Sequence, residues 1–124
     1  MSADTVLIEF IRNDQTAKIT LKRHLAPSTV ATLKRMLSDK DLILRAVIRG
    51  GEFQFPIRIG RVGKEKPVRE VKAGSVVYSP QATVLSVFGV DASPIRPVNL
   101  LGKTDDLEFF KNLHQGTAVK IRLK

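Results

Sequence analysis

A chain of 124 residues is long enough to bury a hydrophobic core, and we expect residues 1–124 to form a single domain. It has no cysteine, which excludes disulfide bonds and thiolate zinc sites, and no apolar run near the roughly 18 residues that a membrane span requires. Lysine and arginine total 21 against 12 acidic residues, a net charge of +9 that attracts polyanions. We therefore expect a basic cytoplasmic protein without a membrane partner.

The beginning of the chain predicts a β-hairpin followed by a helix. Residues 5–11 and 17–22 alternate apolar and polar side chains, as strands with one buried face do, and RNDQT between them supplies turn residues. The period then changes, because apolar side chains in residues 30–37 recur at three- and four-residue spacing. Pro27 suits a first helical turn, so we expect a helix over about 27–38.

Residues 41–60 predict two strands joined by a tight turn. Gly50 and Gly51 separate a buried-looking strand, which two arginines interrupt, from a segment in which phenylalanine and isoleucine alternate with other residues. Pro56 has no N–H to donate to a neighbouring strand. We therefore expect the second strand to lie at a sheet edge, or to leave the sheet at that point.

The stretch from Ala73 to Lys103 predicts the centre of the sheet. Two apolar segments, SVVYS and TVLSVFG, are followed by an irregular crossing, DASPIRP, that is able to line a site, and then by VNLLG. The run TDDLEFFKNLHQG predicts a second helix, capped by Thr104 or Asp105 and ended by Gly116. The closing segment, TAVKIRLK, alternates cleanly and should pair with the N-terminal hairpin.

These elements amount to about eight short strands and two helices. Short antiparallel strands with apolar faces favour closure, because a barrel removes exposed edges and the helices cover its ends. The sequence therefore predicts a mainly β protein, a closed or nearly closed antiparallel eight-stranded barrel with two α-helices capping it.

Basic side chains are concentrated between residues 44 and 72, which hold eight of them and three glutamates. Six of these cations form a candidate polyanion patch: Arg58, Arg61, Lys64, Lys66, Arg69 and Lys72. The alternative is a solvated charged surface without a partner. GRVGKEKPVREVK contains no aromatic side chain on which bases could stack, which counts against a nucleic-acid partner.

No motif predicts a metal, a cofactor or a covalent mechanism. His24 and His114 have no spaced His or acidic partner, and surface or capping roles explain them. Asp105 and Asp106 fall in a first helical turn, where capping accounts for them. The glycines do not form a phosphate-binding loop, which needs Lys-Ser or Lys-Thr opening a helix. We expect no metal site and no cofactor.

The order of the elements resembles the cyclophilin fold, and more closely the small cyclophilin-like barrels of archaea and bacteria whose function is uncharacterised. RAVIRGGEFQF is similar to the family's Arg-containing strand and its Gly-Gly-acid-Phe element. AKITLKRHLAPSTVATLKRMLS resembles the second strand and first helix, AGSVVYSPQATVLSVFG with PVNLLGK the centre of the small family, and VNLLGKTDDLEFFKNLHQGTAVKIRL the closing strand, helix and strand. The resemblance implies a cyclophilin-like barrel.

True cyclophilins isomerise X-Pro bonds, and the resemblance implies Arg45, with Arg49 second, as the catalytic arginine if this chain is an isomerase. The remainder of the proline pocket differs. The chain has no tryptophan, Leu85–Phe88 replaces the family's Gln-Phe-Phe, and Val98 or a neighbour replaces the pocket histidine. Orientation and desolvation supply most of such a rate, so we expect binding rather than catalysis.

We therefore expect a non-catalytic domain that binds a peptide or small molecule in a groove beside two arginines and the 79–97 loops. An arginine within an apolar strand needs a partner or a cavity, and the outer face of a barrel can expose a ring. The candidate ligand-binding residues are Arg45, Arg49, Phe53, Phe55 and Phe88. Alternatively the arginines face solvent, or one bonds to Glu52, and the rings are core residues. The alternative functions are a weak or residual prolyl isomerase and a nucleic-acid-binding basic barrel.

Overall fold

The computed structural model describes residues 4–124, which contain nine strands and two helices. The strands are β1 (Thr5–Arg12), β2 (Gln15–Lys22), β3 (Leu42–Arg45), β4 (Val47–Arg49), β5 (Glu52–Pro56), β6 (Ser75–Ser79), β7 (Val84–Phe88), β8 (Asn99–Lys103) and β9 (Ala118–Leu123). The helices are α1 (Pro27–Asp39) and α2 (Leu107–Lys111). The protein is thus mainly β, as the sequence predicts.

All the strands belong to one antiparallel sheet, in the order β3-β9-β1-β2-β8-β6-β7-β5-β4. β3 and β4 stand at opposite ends of this order, yet they follow each other in the chain with only Ala46 between them. The sheet therefore curls round into a nearly closed barrel. The predicted pairing of the last strand with the N-terminal hairpin is confirmed, because β9 lies beside β1.

The prediction of eight strands is wrong by one, and Ala46 is the reason. Its N–H donates to the Thr117 carbonyl (2.9 Å), and its carbonyl accepts from the Gly116 N–H (2.8 Å). These bonds to the turn before β9 divide residues 42–49 into two strands with different partners, β9 for β3 and β5 for β4. The expected burial of this segment is also wrong, since Ile43 is 62% exposed.

The core is filled by side chains that point inwards from alternate strand positions. Five aromatic rings form a cluster within it: Phe10, Phe53, Phe55, Phe109 and Phe110. The rings of Phe10 and Phe55 meet edge to face with centroids 5.0 Å apart, and those of Phe10 and Phe110 with centroids 5.3 Å apart. Such geometries add to the stability that burial gives.

Helix α1 begins at Pro27, as predicted, and buries the predicted stripe of Val30, Leu33 and Leu37 against strands β9 and β2. Its N-cap residue, Ala26, has no side-chain oxygen for the free N–H groups of the first turn. A carboxylate from elsewhere in the chain supplies the cap, as described below. Neither described helix combines the length and the apolar character needed to cross a bilayer.

Helix α2 is shorter than the sequence predicts, and the predicted caps are wrong. Asp106 is the N-cap residue, but its carboxylate accepts a hydrogen bond from the Lys18 N–H (2.7 Å) instead of capping the helix. Thr104 donates its hydroxyl to the Lys18 carbonyl (2.7 Å). Both side chains therefore fasten the start of α2 to strand β2, and Phe110 enters the aromatic cluster from this short helix.

Candidate functional site

The outer surface of β5 and β7 carries the polar residues of these two strands. Along β5, Phe53 and Phe55 point into the core, so Glu52 and Gln54 point outwards. On the adjacent strand β7, Ser86 lies directly opposite Gln54 in the register. Cross-strand neighbours on one face lie within reach of each other, so these polar side chains form one patch on the outside of the barrel.

The patch is the floor of a groove, which we call the outer groove, with a volume of about 410 Å³. Strand β4, the turn between β6 and β7, and the segment before β8 surround it. The residues that line it are Arg49, Glu52, Gln54, Ser79, Ala82, Val84, Ser86, Phe88, Pro94, Ile95, Arg96 and Val98. It lies beside Arg49 and the 79–97 loops, but not beside Arg45, which the sequence prediction places in the same groove.

Hydrogen bonds fix the floor of the outer groove before any ligand arrives. One carboxylate oxygen of Glu52, Oε2, accepts from the Ser86 hydroxyl (2.8 Å) and from the Gln54 amide (3.0 Å). Ser86 is only 1% exposed, so its hydroxyl has little freedom to turn elsewhere. The other carboxylate oxygen, Oε1, accepts no hydrogen bond from residues 4–124. Glu52 thus offers a positioned acceptor to a ligand.

Two arginines add positive charge to the outer groove. Arg49 and Arg96 are both exposed, and neither forms an ion pair or a side-chain hydrogen bond within the described chain. Arg49 pairs with Glu52 in the β4–β5 register, but their side chains make no salt bridge. Two free guanidinium groups are suited to bind a carboxylate or a phosphate, since each presents several N–H donors in a planar fork.

An apolar side chain stands at the rim of the outer groove. Ile95 is 99% exposed, in a segment bounded by Pro94 and Pro97. The two prolines restrict the backbone on either side of it. An isoleucine held in water on restricted backbone provides apolar surface for a ligand lying in the groove.

The candidate residues named from the sequence are separated by the structure. Arg49 and Phe88 line the outer groove, whereas Phe53 and Phe55 do not, because they are core residues. Arg45 lies outside the groove as well: it belongs to β3 opposite Ala118, and its guanidinium donates to the Gly116 carbonyl (3.1 Å). The break at Ala46 sends the two arginines to opposite ends of the strand order.

Sequence reasoning missed most of the polar groove. Glu52, Gln54, Ser86, Ile95 and Arg96 were not among the candidates, although the alternation in EFQFP does place Glu52 and Gln54 on the face opposite the phenylalanines. An isoleucine between two prolines in a polar crossing was a second available signal. The hydrogen bond from Ser86 to Glu52 depends on strand register, which no local pattern reveals.

A larger depression, about 460 Å³, lies between the β1–β2 turn and α2. Its charged lining is acidic (Asp105, Asp106 and Glu108), and the Asp106 carboxylate is already bound to strand β2. Within residues 4–124, no three histidine or acidic side chains are grouped in a way that could hold a metal ion. The outer groove therefore has the better combination of free donors, a fixed acceptor and apolar surface.

Comparisons with known proteins establish the fold and no more. No protein-family model matches the chain, and no curated protein sequence matches it significantly. Among solved structures, the solution structure of the hypothetical protein AF2241 from Archaeoglobus fulgidus is similar, with a TM-score of 0.82 over 99% of this chain and 98% of that one. The two sequences are 18% identical, so the likeness shows that this chain shares the barrel fold of an archaeal hypothetical protein.

Proposed function

We propose that this protein is a cyclophilin-like binding domain that holds an anionic peptide or small molecule in the outer groove, without catalysis. The observation that carries the proposal is the pair of arginines, Arg49 and Arg96, which line a groove and have no anionic partner in the described chain. Ligand sites are typically concave, with a few convergent polar groups and apolar walls. The outer groove has all three features.

The chemistry of the lining defines the class of ligand. Arg49 and Arg96 favour a carboxylate or phosphate group, and Glu52 favours an N–H or O–H donor. Ile95 and Val84 favour an apolar group. A short peptide with a free carboxylate, backbone N–H groups and apolar side chains meets these requirements together, as does a small amphipathic acid.

Prolyl isomerisation is the less favoured function because the outer groove has no open aromatic wall. Phe88 is the one aromatic residue among the described residues that line it, and it is only 4% exposed. Its ring packs with Val71, Val77 and Val98 in a second, smaller core. A proline ring therefore has no exposed aromatic pocket here, and the desolvation that lowers the isomerisation barrier is missing.

Both functions can be tested with one probe, the N-succinylated peptide Ala-Ala-Pro-Phe, which carries carboxylates, amide donors, apolar groups and an X-Pro bond. In an NMR titration up to millimolar peptide, we expect changes in the chemical shifts of the backbone amides of Glu52, Ser86 and Ile95. The Arg49→Gln/Arg96→Gln variant should bind about tenfold more weakly or worse, equivalent to about 1.4 kcal/mol.

Arg45→Gln is the matched control, since it removes an exposed arginine of the same barrel that lies outside the outer groove. It should bind the peptide like the unaltered protein. Absence of amide shifts at the groove, or an equal loss of affinity in the control, would overturn the proposal. Exchange of the Ala-Pro bond in the same samples decides about catalysis: a rate that rises with protein concentration and is lost in Arg49→Gln would establish isomerase activity.

A further inference from the structure

Residues 57–72, which we call the basic segment, join β5 to the turn before β6 and have no regular secondary structure of their own beyond two isolated bridges. They are nevertheless held against the barrel. Ile57, Ile59 and Val71 are buried. The bridges pair Val68 with Val98 and Val71 with Ala92. The backbone of this segment is therefore fixed by packing at both ends.

A buried asparagine, Asn99, holds the middle of the basic segment in place. Asn99, which is 0% exposed, accepts a hydrogen bond from the Glu65 N–H (2.8 Å) and donates one to the Gly63 carbonyl (2.9 Å). Breaking the bond from Glu65 would leave the buried Asn99 Oδ1 without a partner, at a cost of about 1–3 kcal/mol. The middle of the basic segment is therefore tied to strand β8.

The Glu65 side chain makes the missing cap of helix α1. One carboxylate oxygen accepts from the Ser28 N–H (2.7 Å), and the other accepts from the Thr29 N–H (2.9 Å) and the Thr29 hydroxyl (2.7 Å). Burial alone would raise the pKa of Glu65, but these hydrogen bonds outweigh it and lower the pKa below its ordinary value. The Glu65 carboxylate thus directs its hydrogen bonds to α1, and it forms no ion pair with the cations of the described chain.

The cations of the basic segment are left facing solvent. They recur every two or three residues, and all six are exposed: Arg58, Arg61, Lys64, Lys66, Arg69 and Lys72. Lys72 is 3.9 Å from the Asp91 carboxylate, with both side chains exposed. The other five have no carboxylate within 4.0 Å among the described residues. Five unpaired cations and Lys72 on a fixed backbone, with Glu70 as the one exposed carboxylate among them, form a surface of concentrated positive charge.

From this arrangement we infer that the basic segment is a second binding surface, which takes the sugar-phosphate backbone of a nucleic acid. The apolar side chains of the segment are packed in the barrel core or in the smaller cluster on the outer face of the sheet, so it has no large exposed apolar side chain to insert into a membrane. It has no aromatic side chain on which bases could stack, so binding is to phosphates and independent of base sequence. This inference does not depend on the function proposed for the outer groove.

Fluorescence anisotropy of the full chain with a labelled 20-base-pair DNA duplex of mixed sequence, between 20 and 200 mM KCl, tests the inference. The affinity should fall steeply with salt, with a slope of log affinity against log salt of up to about −5 if six cations contact phosphates. Arg61→Gln/Lys64→Gln/Lys66→Gln should make the slope shallower by about 2.7, from about 0.9 for each lost contact.

The matched control removes the same charge from elsewhere: Arg35→Gln/Lys111→Gln/Lys120→Gln, at three exposed positions on α1, α2 and β9. Its slope should stay within about one of that of the unaltered protein. Absence of binding at 20 mM KCl, or an equal change in both triple variants, would overturn the inference.

Two further probes exclude other ligands. A single strand of the same length should not bind more tightly than the duplex, and much tighter binding of the strand would refute recognition through phosphates alone. Binding to phosphatidylserine vesicles without binding to DNA would also refute it, in favour of a membrane surface. Arg49→Gln/Arg96→Gln should leave the slope of DNA binding within about one of that of the unaltered protein, so failure at either site is distinguishable from failure at the other.

Discussion

Strand β8 pairs with β2 at Gly102, and a single methyl group there tests how closely the two strands approach. A Cβ atom built on Gly102 would overlap the Thr20 carbonyl oxygen and would lie 2.9 Å from the Leu21 Cα. Both are backbone atoms, so no side chain can rotate away to make room. We therefore expect Gly102→Ala to force the two strands apart.

The expected loss of stability in Gly102→Ala follows from the contacts that hold β2 and β8 together. The β2–β8 register contains only two pairs, Thr20 with Lys103 and Leu21 with Gly102. Overpacking costs about 1–3 kcal/mol, and each lost ladder hydrogen bond costs about 0.5–1.5 kcal/mol. The sum predicts a loss of about 4 kcal/mol from the free energy of unfolding, a large share of the roughly 5–15 kcal/mol typical of a domain.

Urea unfolding followed by circular dichroism measures this loss, and Gly63→Ala is the matched control. Gly63 has no atom within 4 Å of the added Cβ, and its φ lies outside the left-handed region. Its variant should unfold within about 1 kcal/mol of the unaltered protein. If both variants unfold at the same urea concentration, the backbones of β8 and β2 are not as close at Gly102 as in the structure.

Two other stability predictions follow from the cap of α1 and from the aromatic cluster. Glu65→Gln should cost about 1 kcal/mol at pH 7. Because the folded-state pKa of Glu65 is lowered, the contribution is complete above about pH 5 and is lost as the pH falls through that pKa, so the difference should narrow between pH 5 and pH 3 in urea unfolding. A constant difference across this pH range would contradict the assignment of the ionised Glu65 as the cap of α1. Phe110→Ala should cost about 3–5 kcal/mol, measured in the same way, because its ring contacts four others. Phe109→Ala should cost less, since Phe109 meets only Phe110 in the cluster, and equal costs would contradict this ranking.

The parts of the fold that the sequence predicted are those set by local period. Alternation identified the hairpin of β1 and β2 and the closing strand β9, and the three- and four-residue spacing identified α1 to within one residue at its end. These patterns survive because side chains alternate across a strand and recur along one face of a helix whatever the remainder of the chain does. The mainly β barrel followed from counting such elements.

The errors in the predicted fold lie where a residue forms a hydrogen bond to a partner distant in the sequence instead of a local one. The sequence misassigns the caps of α2 because Asp106 and Thr104 bind Lys18, 88 and 86 residues away, and Thr104 accepts only from the N-cap N–H of Asp106 and from no N–H within the helix. The strand count was wrong because the turn before β9 binds Ala46. In both places the local propensity was sound, and a long-range hydrogen bond outweighed it.

The outer groove shows the same contrast between features set by local sequence and features set by long-range pairing. From the arginines that interrupt an apolar strand and the prolines of the crossing, the sequence predicts a groove beside Arg45, Arg49 and the 79–97 loops. The fold separates the two arginines, because the break at Ala46 turns Arg45 towards β9 and Arg49 alone of the two lines the outer groove. The fold alone brings Ser86 to Glu52, 34 residues away, because strand register is a property of the assembled sheet. Composition and period thus determined the elements and their buried faces, whereas pairing between distant strands decided which polar groups meet.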